Sequence, residues 1–219
     1  MEQHLLEMAR IHLVDAPRIP GRWRQEYDGC LRELQEHPGW YNGYRLIGLH
    51  MRGSTLDAYH GDYALTRMLH QNPEAAELGL GSLWAGVLFY DGEGRVMLAR
   101  RAADMGSYAG MWALPCTGGF EGDESPRRAI HREIVEEWGP DAKPGLAIQN
   151  SEFLATIWNP TLPGSGVGFV WSALVAQPEL LRADPREIAE WDFFQPDQLP
   201  GPQAPDLGRL VELWLQSRS

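Results

Sequence analysis

The sequence predicts an α/β fold built on a mixed sheet, preceded by a small N-terminal α+β extension. Three observations predict it. From about residue 79, strand-like runs and helical stripes succeed one another in the order β-β-loop-β-helix-β-β-helix, which suits a mixed sheet better than a doubly wound parallel one. No G-x-G-x-x-G follows a strand and no Walker lysine motif occurs, so neither signature of those parallel-sheet nucleotide folds is present. A chain of 219 residues, 43% hydrophobic and 10% aromatic, has enough apolar surface for a main domain (79–219) behind a smaller part (1–78).

Taken in order, Leu5 to Leu13 form an amphipathic stretch expected to be helical in part, ended by Pro17, Pro20 and Gly21. Glu26 to Glu36 places Tyr27, Cys30, Leu31 and Leu34 on one helical face. Tyr44–Met51 reads as a strand, Arg52-Gly53-Ser54 as a turn, and Thr55–Tyr59 as the return strand. Asp62 is placed to cap a helix through Leu69. The histidines His4, His12, His37 and His50 share no metal-ligand spacing.

Ser82–Tyr90 is an apolar strand, and Arg95–Arg100 a second. Asp91-Gly92-Glu93-Gly94 between them signals a hairpin. After Met111–Pro115 come Gly118 and Gly119, where backbone can approach a ligand closely. Ser125 and Pro126 are an N-cap and first-turn pair, and Gly139-Pro140 is a stop, so a helix is expected over 126–138. Its apolar stripe is Ile130, Ile134 and Trp138. Further on, Leu146–Trp158 alternates, Gly168–Ala176 is a core strand, and Pro205–Gln216 carries the last helix.

On the 126–138 helix, Glu133, Glu136 and Glu137 stand at i, i+3 and i+4 and share a face. Like charges so placed repel by a few tenths of a kcal/mol per pair. A divalent cation offsets that, and hard carboxylate oxygens suit Mg²⁺ or Mn²⁺. Arg132 is placed to pair with Glu136 or with Glu124.

The whole stretch, Gly118 through Glu124, Arg132-Glu133-Ile134 and Glu136-Glu137 to Gly139, is similar to the Nudix hydrolase signature G-x5-E-x7-R-E-U-x-E-E-x-G-U, where U is apolar. Pro140 departs from the last U. The resemblance implies the Nudix α/β/α sandwich. It also implies hydrolysis of a diphosphate linkage in a nucleoside diphosphate derivative, with Mg²⁺ as cofactor and Mn²⁺ as substitute. Glu133, Glu136, Glu137 and Gly118 would hold the metal, and Arg132 and Glu124 would orient the carboxylates. Gly118 and Gly119 would cradle phosphates, and Arg100 and Arg101 are candidates to face them. Glu133 or a loop carboxylate would take the proton of the attacking water, with Glu187 and Glu190 as the loop candidates.

The strand pair ending in Asp62-Tyr63 resembles the Nudix subgroup that hydrolyses UDP-glucose and UDP-galactose, so a nucleotide-sugar is the first substrate expectation. ADP-ribose-type or nucleotide-cleansing activity follows. The N-terminal part serves as substrate selector, packing element or homodimer contact. Trp158 and Phe169 flank the long loop after 158 as stacking candidates. Cys116 lies where isopentenyl diphosphate isomerases carry Cys-x-His-Pro, but Thr117-Gly118-Gly119 follows it here. A catalytically silent Nudix domain is disfavoured by the intact glutamates.

A net charge of −11 argues against duplex nucleic acid or an anionic membrane as the main partner. It leaves room for a small anionic nucleotide-derived substrate, because a bound metal inverts the local field. Two distant cysteines, Cys30 and Cys116, and a charged N-terminal stretch lead to a cytoplasmic expectation.

Overall fold

The computed structural model describes residues 3–5, 10–36, 42–105, 107–122, 124–142, 150–158 and 166–218. The chain forms two compact units. One holds Met1–Trp84 with Gly119–Ser125 and Thr156–Gly168; the other holds Ala85–Gly118, Pro126–Ala155 and Phe169–Ser219.

In the first unit, β1 (Gln3–Leu5) pairs antiparallel with residues 156–158 of β9 (Glu152–Trp158). β2 (Arg10–Leu13) pairs parallel with β4 (Thr55–Asp62). Leu5 and Ile11 to Leu13 are therefore in strands, not in the partly helical stretch expected. The reason is partner rows distant in sequence, β9 for Leu5 and β4 for Ile11 to Leu13, which outweigh a weak local periodicity. Residues 6–9 lie outside the described ones.

β3 (Tyr44–Arg52) and β4 form an antiparallel hairpin around Gly53, whose φ of +59° is the left-handed conformation the turn requires. Asp62 caps α2 (Tyr63–Gln71) as expected: its Oδ1 accepts from Leu65 N at 2.9 Å. The helix α1 spans Gly21–Glu36. Gly21, expected as a breaker, is its first residue, a position that tolerates glycine because the first-turn N–H groups need no helical partner. Trp23, Cys30 and Leu34 of α1 share a core with Ile47, Tyr59, Leu65, Met68 and Leu69.

In the second unit, the C-terminal part of β5 (Gly81–Tyr90) pairs antiparallel with β6 (Val96–Arg101). Asp91 closes their hairpin, accepting from the N–H groups of Glu93 and Arg95 at 2.9 Å each. β6 also pairs with β7 (Trp112–Ala113) and with β11 (Ile188–Phe194), both antiparallel. β8 (Cys116–Gly119) leads to α3 (Pro126–Trp138), at the boundaries expected. β10 (Val167–Leu174) is a core strand whose Phe169 is fully buried, which removes it as a stacking surface. The helix α4 (Leu207–Ser217) buries Trp214 against Tyr90 at 5.2 Å. Parallel and antiparallel ladders together make this an α/β fold with a mixed sheet. Residues 143–149 and 159–165, part of an expected strand and the expected long loop, lie outside the described ones. Among the described residues, no helix is long and apolar enough to cross a membrane.

Candidate active site

The geometry of the site follows from two adjacent rows on α3. Ile130, Ile134 and Trp138 repeat every four residues and are buried. The row Ala129, Glu133 and Glu137 lies one residue away on the same spacing, so burying the apolar row drags two carboxylates inward. Glu137 is only 4% exposed, and the Glu133 side chain 13%. Glu136 belongs to the next row with Arg132, and its side chain is 52% exposed. Trp138 locks the rotation of the helix: its Nε1 donates to Pro115 O at 2.7 Å, and its ring meets Trp191 edge-on at 5.6 Å. Gly139, at φ +84°, ends the helix.

Gly118 faces this row. A Cβ there would fall inside the Glu133 carboxylate, so only glycine fits. Arg132 Nη1 donates to Glu133 Oε1 at 2.5 Å and to Glu136 Oε2 at 3.1 Å. Of the two partners expected for Arg132, Glu136 is engaged; the bond to Glu133 is an addition. The Cys116 thiol donates to the Glu137 carboxyl, a partner that sequence reading missed because nothing local links the two positions.

The segment after β10 completes the cluster. Asp184 N donates to Glu137 O at 2.7 Å, satisfying a C-terminal carbonyl of α3, and Ala102 N donates to Glu187 O at 2.8 Å. Glu187 is thereby brought within electrostatic reach of Glu133, Glu136, Glu137 and Arg101. Glu190 points elsewhere: its Oε1 lies 3.0 Å from Arg100 Nε across the β6–β11 ladder, an ion pair too far off line to count as a hydrogen bond. Arg101 Nε donates to Ser107 O at 2.9 Å. Gly119 and Glu124 belong to the first unit. There Glu124 Oε1 accepts from Glu121 N at 2.7 Å, and Arg45 pairs with Glu121 at 2.6 Å.

The electrostatics are those of an anion cluster. Burial pushes the Glu133 carboxyl up to about 7, against the opposing pull of Arg132. Burial raises Glu137 well above the carboxylate range, and the charges of Glu133 and Glu187 add to it. Glu187 is raised chiefly by burial, with Arg101 opposing. Glu137 Oε2 is buried with no hydrogen-bond partner. An orphaned buried carboxylate oxygen beside two like charges and a glycine cradle fits a hard divalent cation. Among the described residues, no three acidic, histidine or cysteine side chains converge into a ready-formed cage. Arg132 sits against Glu133 Oε1 and Glu136 Oε2 as their counter-cation.

A family model described as NUDIX domain matches residues 83–214. The chain belongs to the Nudix family. It is similar to an RNA pyrophosphohydrolase of Novosphingobium aromaticivorans, 28% identical over 52% of this chain and 78% of that one. It is similar also to an isopentenyl-diphosphate Delta-isomerase of Clavibacter michiganensis, 27% identical over 50% of this chain and 56% of that one. A crystal structure of a Deinococcus radiodurans protein shares the fold, with a TM-score of 0.51 at 17% identity over 60% of this chain and 81% of that one. The chain is a Nudix hydrolase, and enzymes of this family generally use divalent metal ions.

Proposed function

We propose that this Nudix hydrolase cleaves a diphosphate linkage in a nucleoside diphosphate derivative, with Mg²⁺ as its cofactor and Mn²⁺ as a substitute. The observation that carries the reading is Glu137 Oε2, buried and unpartnered among Glu133, Glu187 and the Gly118 cradle. Glu133, Glu136, Glu137 and the Gly118 carbonyl would hold the metal, which neutralises charge on nonbridging phosphate oxygens and acidifies a water.

The chain's own residues then divide the remaining work. Arg132 holds the Glu133 and Glu136 carboxylates in register, as the outer layer of a metal site does. Glu187, a carboxylate from outside α3 within electrostatic reach of Glu133 and Glu137 and placed by its backbone bond to Ala102, accepts the proton of the attacking water. Arg101, at the end of β6, opposes the negative charge of Glu187 and Glu137.

The first substrate class we propose is a nucleotide-sugar such as UDP-glucose. The β3–β4 hairpin running into Asp62-Tyr63 at the start of α2 supports it. An ADP-ribose-type or nucleotide-cleansing activity is the alternative. The test is phosphatase-coupled phosphate release from nucleotide-sugars, ADP-ribose, dinucleotides, nucleoside triphosphates and a 5′-triphosphorylated oligoribonucleotide. The oligoribonucleotide is included because one relative is an RNA pyrophosphohydrolase. Turnover of UDP-glucose above the other substrates supports the nucleotide-sugar reading, and preference for another member replaces it. No release from any member, with Mg²⁺ or Mn²⁺, would sink the hydrolytic reading.

A further inference from the structure

The first unit contains a feature that the carboxylate site on α3 does not use. A groove of about 870 Å³ is lined entirely by residues of that unit, among them Arg18, Gly21, Arg24, Tyr27, Asn42 and Tyr59. Its volume lies in the range of small-molecule sites.

Three independent observations give the groove a chemistry. First, Tyr59 is 3% exposed, and its hydroxyl is buried without a hydrogen-bond partner. A buried hydroxyl left unpaired is costly, so such a group calls for a ligand atom or a water. Second, Arg18 and Arg24 are exposed on the groove, in a chain whose net charge is −11. Arg24 lies over the Tyr27 ring at 5.1 Å and pairs with Asp28 at 3.1 Å. That surface pair is worth little, so a stronger anion displaces Asp28 cheaply. Third, α1 opens on the groove at Gly21, where a Cβ would meet nothing within 4 Å. The preceding residue, Pro20, has no side-chain oxygen to cap the helix, so its positive end is available to an anion.

The one carboxylate in the lining is already engaged. Asp62 Oδ2 accepts from Tyr27 Oη at 2.7 Å and from Asn42 Nδ2 at 3.1 Å, while Oδ1 caps α2. By contrast with α1, the first donors of α2 are taken: Tyr63 N by Gly43 O, Ala64 N by Asn42 Oδ1 and Leu65 N by Asp62 Oδ1. The anion-binding end of this unit is therefore that of α1.

We propose that this groove is a second small-molecule site, which takes a phosphate-bearing polar ligand. Its phosphate sits between Arg18, Arg24 and the start of α1, and its polar body donates to or accepts from the Tyr59 hydroxyl. Paired arginines and a helix N-terminus are the standard elements of phosphate recognition.

The test uses the full chain carrying E133Q and E137Q, in EDTA, so that binding at the metal-dependent site does not contribute. Its outcome is then independent of the catalytic reading. Inorganic phosphate, pyrophosphate and UMP are titrated by calorimetry. UMP is expected to bind more tightly than inorganic phosphate, and R18A/R24A to weaken all three probes by ~10-fold or more. Y59F is expected to weaken UMP alone, by ~3–10-fold, the loss of one hydrogen bond. Both arginines are exposed and Y59F is close to isosteric, so the variants should fold, which melting curves check. Absence of binding by every probe up to millimolar concentration overturns the proposal, as do affinities unchanged in R18A/R24A. Equal binding of UMP and inorganic phosphate, or UMP affinity unaffected by Y59F, overturns the role assigned to the hydroxyl and leaves a bare phosphate site.

Discussion

Asp62 and Glu137 are both carboxylates at the end of a helix, and their surroundings could hardly differ more. Asp62 precedes α2, and both its oxygens are engaged by Leu65 N, Tyr27 Oη and Asn42 Nδ2. Glu137 lies near the end of α3, where the helix dipole is negative and therefore unfavourable to it. It is buried, its Oε2 has no partner, and Glu133 and Glu187 add like charge. A carboxylate that serves the fold has its lone pairs filled by the fold. One left unfilled in an anionic pocket costs stability and is kept for something else.

The largest effect should come from E137Q. On the role proposed for Glu137 as a metal ligand, kcat should fall by ~10²-fold or more. The metal-free variant should melt no lower than wild type, because the amide carries no charge in a pocket that disfavours one. A nearly normal rate, or a large loss of stability, would place Glu137 with Asp62 among structural carboxylates. Mg²⁺ should sharpen the same contrast. At a hundredfold over its Kd it stabilises the folded chain by about 2.7 kcal/mol if it does not bind the unfolded one. That gain, read as a rise in melting temperature, should vanish in E133Q/E137Q and persist in D62A.

D62A, in turn, should lose about 1–3 kcal/mol of stability in denaturant titration, from the lost cap and two side-chain bonds. An unchanged midpoint would show that the bonds to Asp62 do not hold the first unit together. The smallest effect belongs to Asp91, another satisfied carboxylate. Burial opposes its ionisation, but donation from Arg95 and Glu93 and the Arg95 guanidinium outweigh it and lower its pKa. Its folded pKa lies below its unfolded one, so its contribution is present above the unfolded value and lost as pH falls through the folded one. D91N should cost about 1 kcal/mol near neutral pH and converge with wild type in acid. A constant difference across that range would exclude the charge as the cause.

Much of this arrangement was legible in the linear chain. Gly118, Glu124, Arg132, Glu133, Glu136, Glu137 and Gly139 are short-range features, and the bounds of α3 followed from Pro126 and Gly139. The Asp62 cap and the Asp91 hairpin were legible for the same reason, since each acts on neighbours two to four residues away. The strand nature of 10–13 was not, because its partner is β4. Neither was the unequal burial of Glu136 and Glu137, which depends on what α3 packs against.

By itself, then, the sequence determined the helix, its row of carboxylates and the family to which they belong, because those rest on spacing along one element. Only the tertiary structure decided that Cys116 and Glu187 join the row and that Tyr59 faces a groove with its hydroxyl unpaired. Such pairings depend on chain segments tens of residues apart, and no local periodicity encodes where those segments meet.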